Sequence, residues 1–429
     1  MLEAIVRALE VNKQVHDWQV RKTRTLQNEV YLIGDSIESR RSASTEAAEV
    51  VLYHDHDGKR GSSTLTFVPG GLADCALRIE RAVYMASVAG NPPHALPGPV
   101  AQPSVRVRDS VLAEHPLETI DSWRAALVST INSEAQVRLS AAEFFVYGSQ
   151  VEFVNSRDAA YSYPSTRAFV EFVLLSSDGR KESENYHSMT VRSAADVDME
   201  AVVRERAAYA RDMLRVSMPE TYSGPVVLSG EPLGSLFDPF LSRVDAEYLY
   251  RGIFKTKVGD TLLNGEVKGD GLDIVVDPTV PYGVKSAPAD AEGLPARRVH
   301  LLKDGSAQGI MAGKRFADYL GIAATGTSGN TVVSAGSTSS ADLLRGPVMH
   351  LVSFADLRAD PMTGEFVSEI RLGYQVSADG SARPIKGGSV AGNVFDAFAD
   401  CRMSSEAIRS GSYHGPKSIR FSKLVISGE

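Results

Sequence analysis

The sequence predicts an α+β protein: an N-terminal α/β domain, residues 1–220, made of two repeated strand-hairpin-helix halves, and a C-terminal β-rich, barrel-like domain, residues 221–429. Three observations carry that reading. A pattern occurs twice within the first half, a proline-rich stretch separates the two occurrences, and the texture of the chain changes after Glu220. At about 150 residues per domain, 429 residues suggest two or three domains.

The repeat comes first. At an offset of 121, Ser44-Thr45-Glu46-Ala47 lies over Ser165-Thr166-Arg167-Ala168 and Asp57-Gly58-Lys59 over Asp178-Gly179-Arg180. Six of the 20 positions from Ser44 to Ser63 are identical. After a four-residue insertion, Glu80-Arg81-Ala82-Val83-Tyr84 matches Glu205-Arg206-Ala207-Ala208-Tyr209 in the same order. Each copy contains an apolar run, Val50 to Tyr53 and Phe169 to Leu175, that reads as a strand. Asp-Gly then supplies the positive φ of a tight hairpin turn, and a returning strand leads into an amphipathic helix. In the second copy Val202, Ala207, Ala210 and Met213 form the apolar stripe of that helix. Another helix precedes each copy, at Leu2 to Val11 and Leu117 to Asn132. Asn91 to Pro99, with four prolines in nine residues, is a stiff, extended link.

Beyond Glu220, β-rich runs recur at Pro225–Leu228, Leu272–Val276, Arg298–Leu302, Val348–Phe354, Phe366–Val376 and Ile419–Ile426. Turns at Asp304-Gly305, Asp360-Pro361 and Asp379-Gly380 separate some of them. Helices are expected only around Ala307–Leu320 and Asn393–Cys401. Between Thr325 and Ser340, 12 of 16 residues are Gly, Ser or Thr, which predicts a mobile surface loop or a substrate-covering flap.

Composition excludes several classes. Net charge is −8, with 24 basic against 30 acidic residues up to Glu220 and 21 against 23 beyond it. Neither half can neutralise a phosphate backbone, so no nucleic-acid partner is expected. No run of 18 apolar residues occurs, and Glu3 and Glu10 interrupt the place of a signal-peptide core, so no membrane association and a cytoplasmic location are expected. Two cysteines, Cys75 and Cys401, cannot build a disulfide framework.

Chemistry-bearing motifs are sparse. No two histidines stand four apart, and none is followed by Glu. His54-Asp55-His56 is the one close pair, at the approach to a hairpin turn; it reads as exposed turn histidines or as a metal or pH site. Cys401 reads as a buried thiol, whereas His414, in a turn, is the better functional candidate. Gly-x-Ser-x-Gly is absent, and Gly309 to Arg315 lacks the phosphate-loop spacing. Acidic residues from Asp273 to Glu292, among them Asp277 and Asp290, could do acid–base work or cap turns. The run Gly387 to Phe395 is either a place where backbone N–H groups receive a peptide carbonyl or carboxylate, or a tightly packed corner.

These pieces, in order, resemble the TldD/PmbA (TldE) family. Gly388-Ser389-Val390-Ala391-Gly392-Asn393-Val394 is similar to its Ile-Ala-Gly-Asn-Leu corner. Asn91 to Pro97 occupies the place of its proline-rich link. Asp290-Ala291-Glu292-Gly293 to Arg298 resembles its Asp-x-Glu-Gly stretch, and Leu302 to Gly305, Thr325-Gly326 and Asp360 to Tyr374 complete the series. The resemblance implies a subunit of a heteromeric zinc peptidase. In that family the zinc belongs to the TldD-type subunit, on a His-Glu-x-x-x-His helix and a later Cys. The matching helix here, near Pro232 to Ala246, contains no His, and the later Cys-Gly falls at His414-Gly415.

The resemblance therefore implies the PmbA/TldE type, with no catalytic residue and no metal on this chain. Zinc is expected on a TldD-like partner. Acting together, the two subunits would degrade or mature unfolded or small peptides. Glu369, Arg371, Gly388, Asn393 and His414 are the expected substrate-lining residues, chosen by position. Two alternatives stand: a non-enzymatic, peptide-binding homodimer, or the same peptidase chemistry dedicated to a natural-product precursor.

Overall fold

The computed structural model describes Met1–Glu429, the side chain of Glu231 excepted. Its first half is organised by the repeat. In chain order come α1 (Leu2–Val11), β1 (Asp17–Ile33), β2 (Ser36–His56), β3 (Lys59–Phe67) and α2 (Cys75–Ser87). Then follow α3 (Ser110–Glu114), α4 (Pro116–Asn132), β4 (Val137–Asn155), β5 (Ala160–Ser177), β6 (Glu182–Val191) and α5 (Met199–Asp212). One antiparallel sheet results, in the order β3-β2-β1-β4-β5-β6. At its centre β1 and β4 pair from Gln19↔Asn155 to Ile33↔Ala141, with Leu26 opposite Gly148. The two copies are thus related by a two-fold axis between β1 and β4. The strands are far longer than their apolar cores suggested, because pairing on both sides satisfies the backbone of polar stretches such as Ser39–Thr45 and Ser162–Thr166.

The first hairpin turn has φ of 48° at Asp57 and 72° at Gly58, the positive pair of a type I′ turn. The second copy opens wider: Asp178 Oδ1 accepts the N–H groups of Arg180 and Lys181 at 2.8 and 2.7 Å. All long helices lie on one sheet face. Ile5, Leu9, Ile79 and Val83 pack with Val20, Val50 and Leu52 in one half; Ile120, Trp123, Leu127, Val203 and Ala207 pack with Phe144, Val170 and Phe172 in the other. On α5 the buried stripe is Met199, Val203, Ala207 and Ala210, one position off the predicted Val202. The opposite face carries no helix over Tyr31, Phe145, Tyr147 and Phe169, whose rings shield one another and stay partly exposed.

The later part contains β7 (Tyr222–Ser229), α6 (Asp238–Arg243), α7 (Ala246–Tyr250), β8 (Ile274–Asp277), β9 (Val299–Lys303), β10 (Ser306–Ala307), α8 (Lys314–Leu320), β11 (Asn330–Val333), α9 (Ser340–Leu343) and β12 (Val348–Phe354). It ends with β13 (Glu365–Val376), β14 (Ala382–Ile385), β15 (Ser389–Asn393), α10 (Val394–Ala397), β16 (Cys401–Met403), β17 (Ala407–Ser410), β18 (Tyr413–Pro416) and β19 (Ser418–Ser427). Strands β12, β7, β19, β15 and β13 close on themselves through the β12–β13 pairing, giving a five-stranded barrel. A second sheet runs β10-β9-β8-β11-β18-β17. Between them lies one core in which Phe237, Phe240, Phe398 and Phe421 are fully buried.

Two expectations are corrected here. The Ser/Thr/Gly run is not a mobile loop: Asn330–Val333 is an interior strand between β8 and β18. Asn330, wholly buried, donates through Nδ2 to the Asp277 carbonyl and to Ser286 Oγ, both at 2.8 Å. Polar side chains order a segment when each finds a partner. The helix expected from Ala307 begins only at Lys314, because Ala307 is held in β10 and the Met311 backbone pairs with Asp245 and Val244.

The two halves are stitched by specific contacts. Arg192 donates to the carbonyls of Ser286 and Val284, both at 2.8 Å. Tyr161 Oη donates to the Asp290 carbonyl at 2.9 Å. Gly293 sits so close to the Phe153 ring that a Cβ there would approach it to 2.8 Å. The loop from Asp290 to Leu294 thereby covers one end of the helix-free sheet face. The proline-rich link is pinned as well: His94 offers its carbonyl to Arg60, and Ala95 its N–H to Asp318.

Candidate functional site

The stretch that should correspond to a metal-binding helix is built differently here. A 3-10 turn through Phe237 leads into α6, and α7 follows after a break at Val244-Asp245. Pro232 and Pro239 each stand near the start of a helical piece, where a missing N–H costs nothing. Asp245 restarts the helix by accepting the N–H of Glu247 at 2.8 Å.

A cavity of about 180 Å³ opens against this break. Ser242, Asp245 and Tyr248 line it from the helices, Lys285 and Met311 from facing loops, and Thr327 to Thr331 from the segment entering β11. Burial raises the Asp245 carboxyl above its usual range, although its bonds to the α7 backbone oppose this. The cavity can hold a polar chain by hydrogen bonds. It offers one carboxylate, itself a cap, and no imidazole. Among the described residues, no three His, Cys, Asp or Glu side chains are arranged to hold a metal ion. A zinc ion does not fit this donor set, and no chemical step is derived through one.

The five residues singled out by position do not converge on that cavity. Glu369 and Arg371 stand on the exposed face of β13, where they form an ion pair at 3.5 Å. Gly388 has φ of 65° and packs against the Ser427 backbone, leaving no room for a Cβ. Asn393 caps α10, accepting the Phe395 N–H at 3.0 Å and donating to the Thr363 carbonyl at 2.9 Å. The Gly387–Phe395 run is thus a tightly packed corner whose polar groups serve each other. Glu369 and Asn393 share the β13–β15 ladder, so four of the five lie on one barrel wall.

His414 lies in the other sheet. It pairs with Val332, and neighbouring residues on a strand face opposite ways. It therefore lies on the sheet face opposite Tyr413 and Thr331, the latter a cavity residue. Burial, reinforced by Arg409, pushes its pKa down to about 4, so it is neutral.

The other motifs resolve plainly. Asp277 accepts from the Thr279 backbone and hydroxyl. Asp290 accepts from Glu292, Leu294 and Thr327, tying the Asp-x-Glu-Gly loop to the Thr325–Thr327 segment. Glu292 accepts the backbone N–H of Lys314; burial and the nearby Asp290 push its pKa up to about 7. His54 and His56 stack at 5.6 Å and bond to the Gln14 and Ala89 carbonyls. Cys401 is buried, which pushes its thiol up to about 12 and leaves it inert.

Sequence reasoning did not find Ser242, Asp245, Tyr248 or Lys285. They come from separated segments, and the only local signal was the helix-start pattern at Asp245.

A repeated six-stranded sheet joined to a closed five-stranded barrel defines the scaffold of this chain. A family model described as "PmbA/TldA metallopeptidase C-terminal domain" matches residues 220–428. The Escherichia coli O157:H7 protein "Metalloprotease PmbA" is 23% identical over 290 residues, covering 66% of this chain and 63% of the relative. The Haemophilus influenzae protein "Metalloprotease TldD homolog" is 24% identical over 231 residues, covering 49% and 47%. The matches thus span about half to two thirds of those relatives' lengths. The crystal structure of TldE from Thermococcus kodakarensis superposes with a TM-score of 0.83 at 17% identity, covering 100% of both chains, and shows the same fold. The C-terminal half of the chain, residues 220–428, belongs to the TldD/PmbA/TldE family, and the whole chain shares the TldE fold.

Among the described residues no helix is long and apolar enough to cross a membrane.

Proposed function

We propose that this chain is the metal-free subunit of a TldD/TldE-type heteromeric peptidase, acting in the cytoplasm with a TldD-like partner that carries the zinc. One observation carries the reading: where the family's metal helix belongs, the chain has a broken helix whose cavity-facing residues, Leu241, Ser242, Asp245 and Tyr248, include no imidazole or thiolate. Catalytic zinc needs about three protein ligands. Hydrolysis then falls to the partner, and this chain contributes a wall.

The helix-free sheet face and the open edges β3, β6 and β17 suit that role. An edge strand gives main-chain hydrogen bonds that any extended peptide can use, whatever its sequence. Folded proteins keep their edge strands short, charged or covered, so the extended segments free to lie along such an edge belong to unfolded or short peptides, which are the substrate class. Of the residues chosen by position, exposed Glu369 and Arg371 are free to meet a peptide or the partner, whereas Gly388 and Asn393 shape the corner behind them.

The test is reconstitution. The purified chain is assayed on short peptides alone and after mixing with the TldD-type protein of the same genome. Cleavage only by the mixture is expected. Cleavage by the metal-supplied chain alone would refute the proposal.

A further inference from the structure

A second cavity, of about 330 Å³, borders α6 and is separate from the one at Asp245. Arg243, Lys255, Thr256, Thr261, Asn264 and Phe395 line most of it. The Arg243 guanidinium lies over two rings, 4.4 Å from the Phe254 centroid and 4.9 Å from that of Phe395. Its Nη2 donates to the Met362 carbonyl at 3.0 Å, while its Nε is buried without a partner. Among the described residues no carboxylate pairs with it.

Removing a cation from water without a countercharge is costly, and aromatic faces compensate only in part. Arg243 is half-buried, and burial lowers the proton affinity of its guanidinium. A second cation, Lys255, is exposed on the same cavity and, among the described residues, forms no ion pair. The acid on the cavity wall, Asp260, is bound to the Lys257 N–H at 2.8 Å, and Asp396 nearby is engaged by Asn264 at 2.9 Å. Both carboxylates keep their charge, with one oxygen of each engaged by an uncharged N–H, while Arg243, Lys255, two threonine hydroxyls and an apolar wall of Phe395 and Leu262 complete the lining.

We propose that this cavity binds a small organic oxyanion, a carboxylate or a phosphate group, held between Arg243 and Lys255. The ring sandwich holds the guanidinium in place before the ligand arrives, so little side-chain entropy is lost on binding. Thr256 and Thr261 supply further donors, and Phe395 and Leu262 accommodate an apolar substituent. This site is independent of the peptidase proposal and needs no partner subunit.

Calorimetry on the full chain at low ionic strength tests it, with N-acetylleucine and inorganic phosphate as separate probes and chloride as the control. Saturable one-to-one binding of at least one probe is expected, and the probe that binds tells carboxylate from phosphate. Arg243→Gln should weaken it about tenfold or more, the loss of a charge-assisted hydrogen bond. Because Arg243 also packs between rings, Lys255→Glu serves as the second variant: the side chain is exposed, so the melting curve should stay native while binding again falls about tenfold or more. Failure of both probes to bind the native chain, or unchanged binding in both variants with native melting curves, would overturn the proposal.

Discussion

Strands of the N-terminal sheet run from 9 residues in β3 to 21 in β2, whereas those of the C-terminal sheets run from 2 in β10 to 12 in β13. The first region is an open ribbon with free edges at β3 and β6; the second closes five short strands into a barrel without an edge. Length and duplication stabilise the ribbon, because each long strand pairs on two sides and each copy brings its own helices. Closure stabilises the barrel, whose aromatic core is shared with a second sheet. An open ribbon can present a surface; a closed barrel can hold loops rigidly around a cavity.

The comparison is sharpest at the two cores. In the ribbon, buried Arg60 joins Asp17 at 2.8 Å and Asp55 at 2.7 Å, with Arg157 also on Asp17 at 2.8 Å. Arg60→Ala leaves the buried Asp17 short of a partner and should cost about 3–5 kcal/mol. In the barrel, Phe398 touches Phe237, Phe240 and Phe421 at ring separations of 5.2–5.5 Å, and Phe398→Ala should cost a similar ~3–5 kcal/mol through the cavity it leaves. Chemical denaturation measures both. Salt should modulate the first loss and leave the second unchanged; equal salt dependence would dissolve the distinction.

Acid provides the next test. Burial pushes His94, His350 and His414 down to about 4, with Arg60 reinforcing this at His94 and Arg409 at His414. Their folded values lie below the unfolded value of about 6.5, so stability is fully present above that pH and falls as pH drops toward 4. Allowing for partial exposure, each contributes about 1 kcal/mol. Glu292 opposes them: held protonated up to about 7, it loses stability as pH rises from about 4.5 to 7. Thermal melting from pH 7 to pH 4 should therefore fall more steeply in Glu292→Gln than in the native chain. An equal or shallower slope in the variant would mean that Glu292 titrates no higher in the folded chain than in the unfolded one.

How much of this was legible follows the same divide. The ribbon could be read because duplication states one pattern twice and its hairpin turns are local, as at Asp57-Gly58. The barrel-like character of the second region was legible too, from its recurrent short β runs, but which strands close it was not, because that depends on β12 meeting β7 and β13 across long loops, and periodicity carries no partner information. The corner at Asn393 was visible as a motif, but its role as a cap needed the position of Thr363. Asn330 shows why the Ser/Thr/Gly run misled: polarity signals disorder only while the partners, here Asp277, Lys285 and Ser286, are unknown. Asn330→Ala should cost about 1–3 kcal/mol by orphaning those groups. Unchanged melting would place the segment back among mobile loops.

The smallest effects belong to the barrel wall. Asn393→Ala should lose about 0.5–2 kcal/mol as a missing cap. Glu369→Gln should stay within about 0.5 kcal/mol in stability, while weakening capture of a partner or peptide if that surface is used. Binding assays beside melting curves separate the two roles; a stability loss at Glu369 matching that at Asn393 would make both structural.

Metal analysis of the isolated full-length chain after zinc loading and gel filtration tests the central claim most directly. The account predicts well under one zinc per chain, and about one per TldD-like partner in the reconstituted complex. One tightly held zinc per isolated chain, with peptide cleavage by that chain, would contradict it.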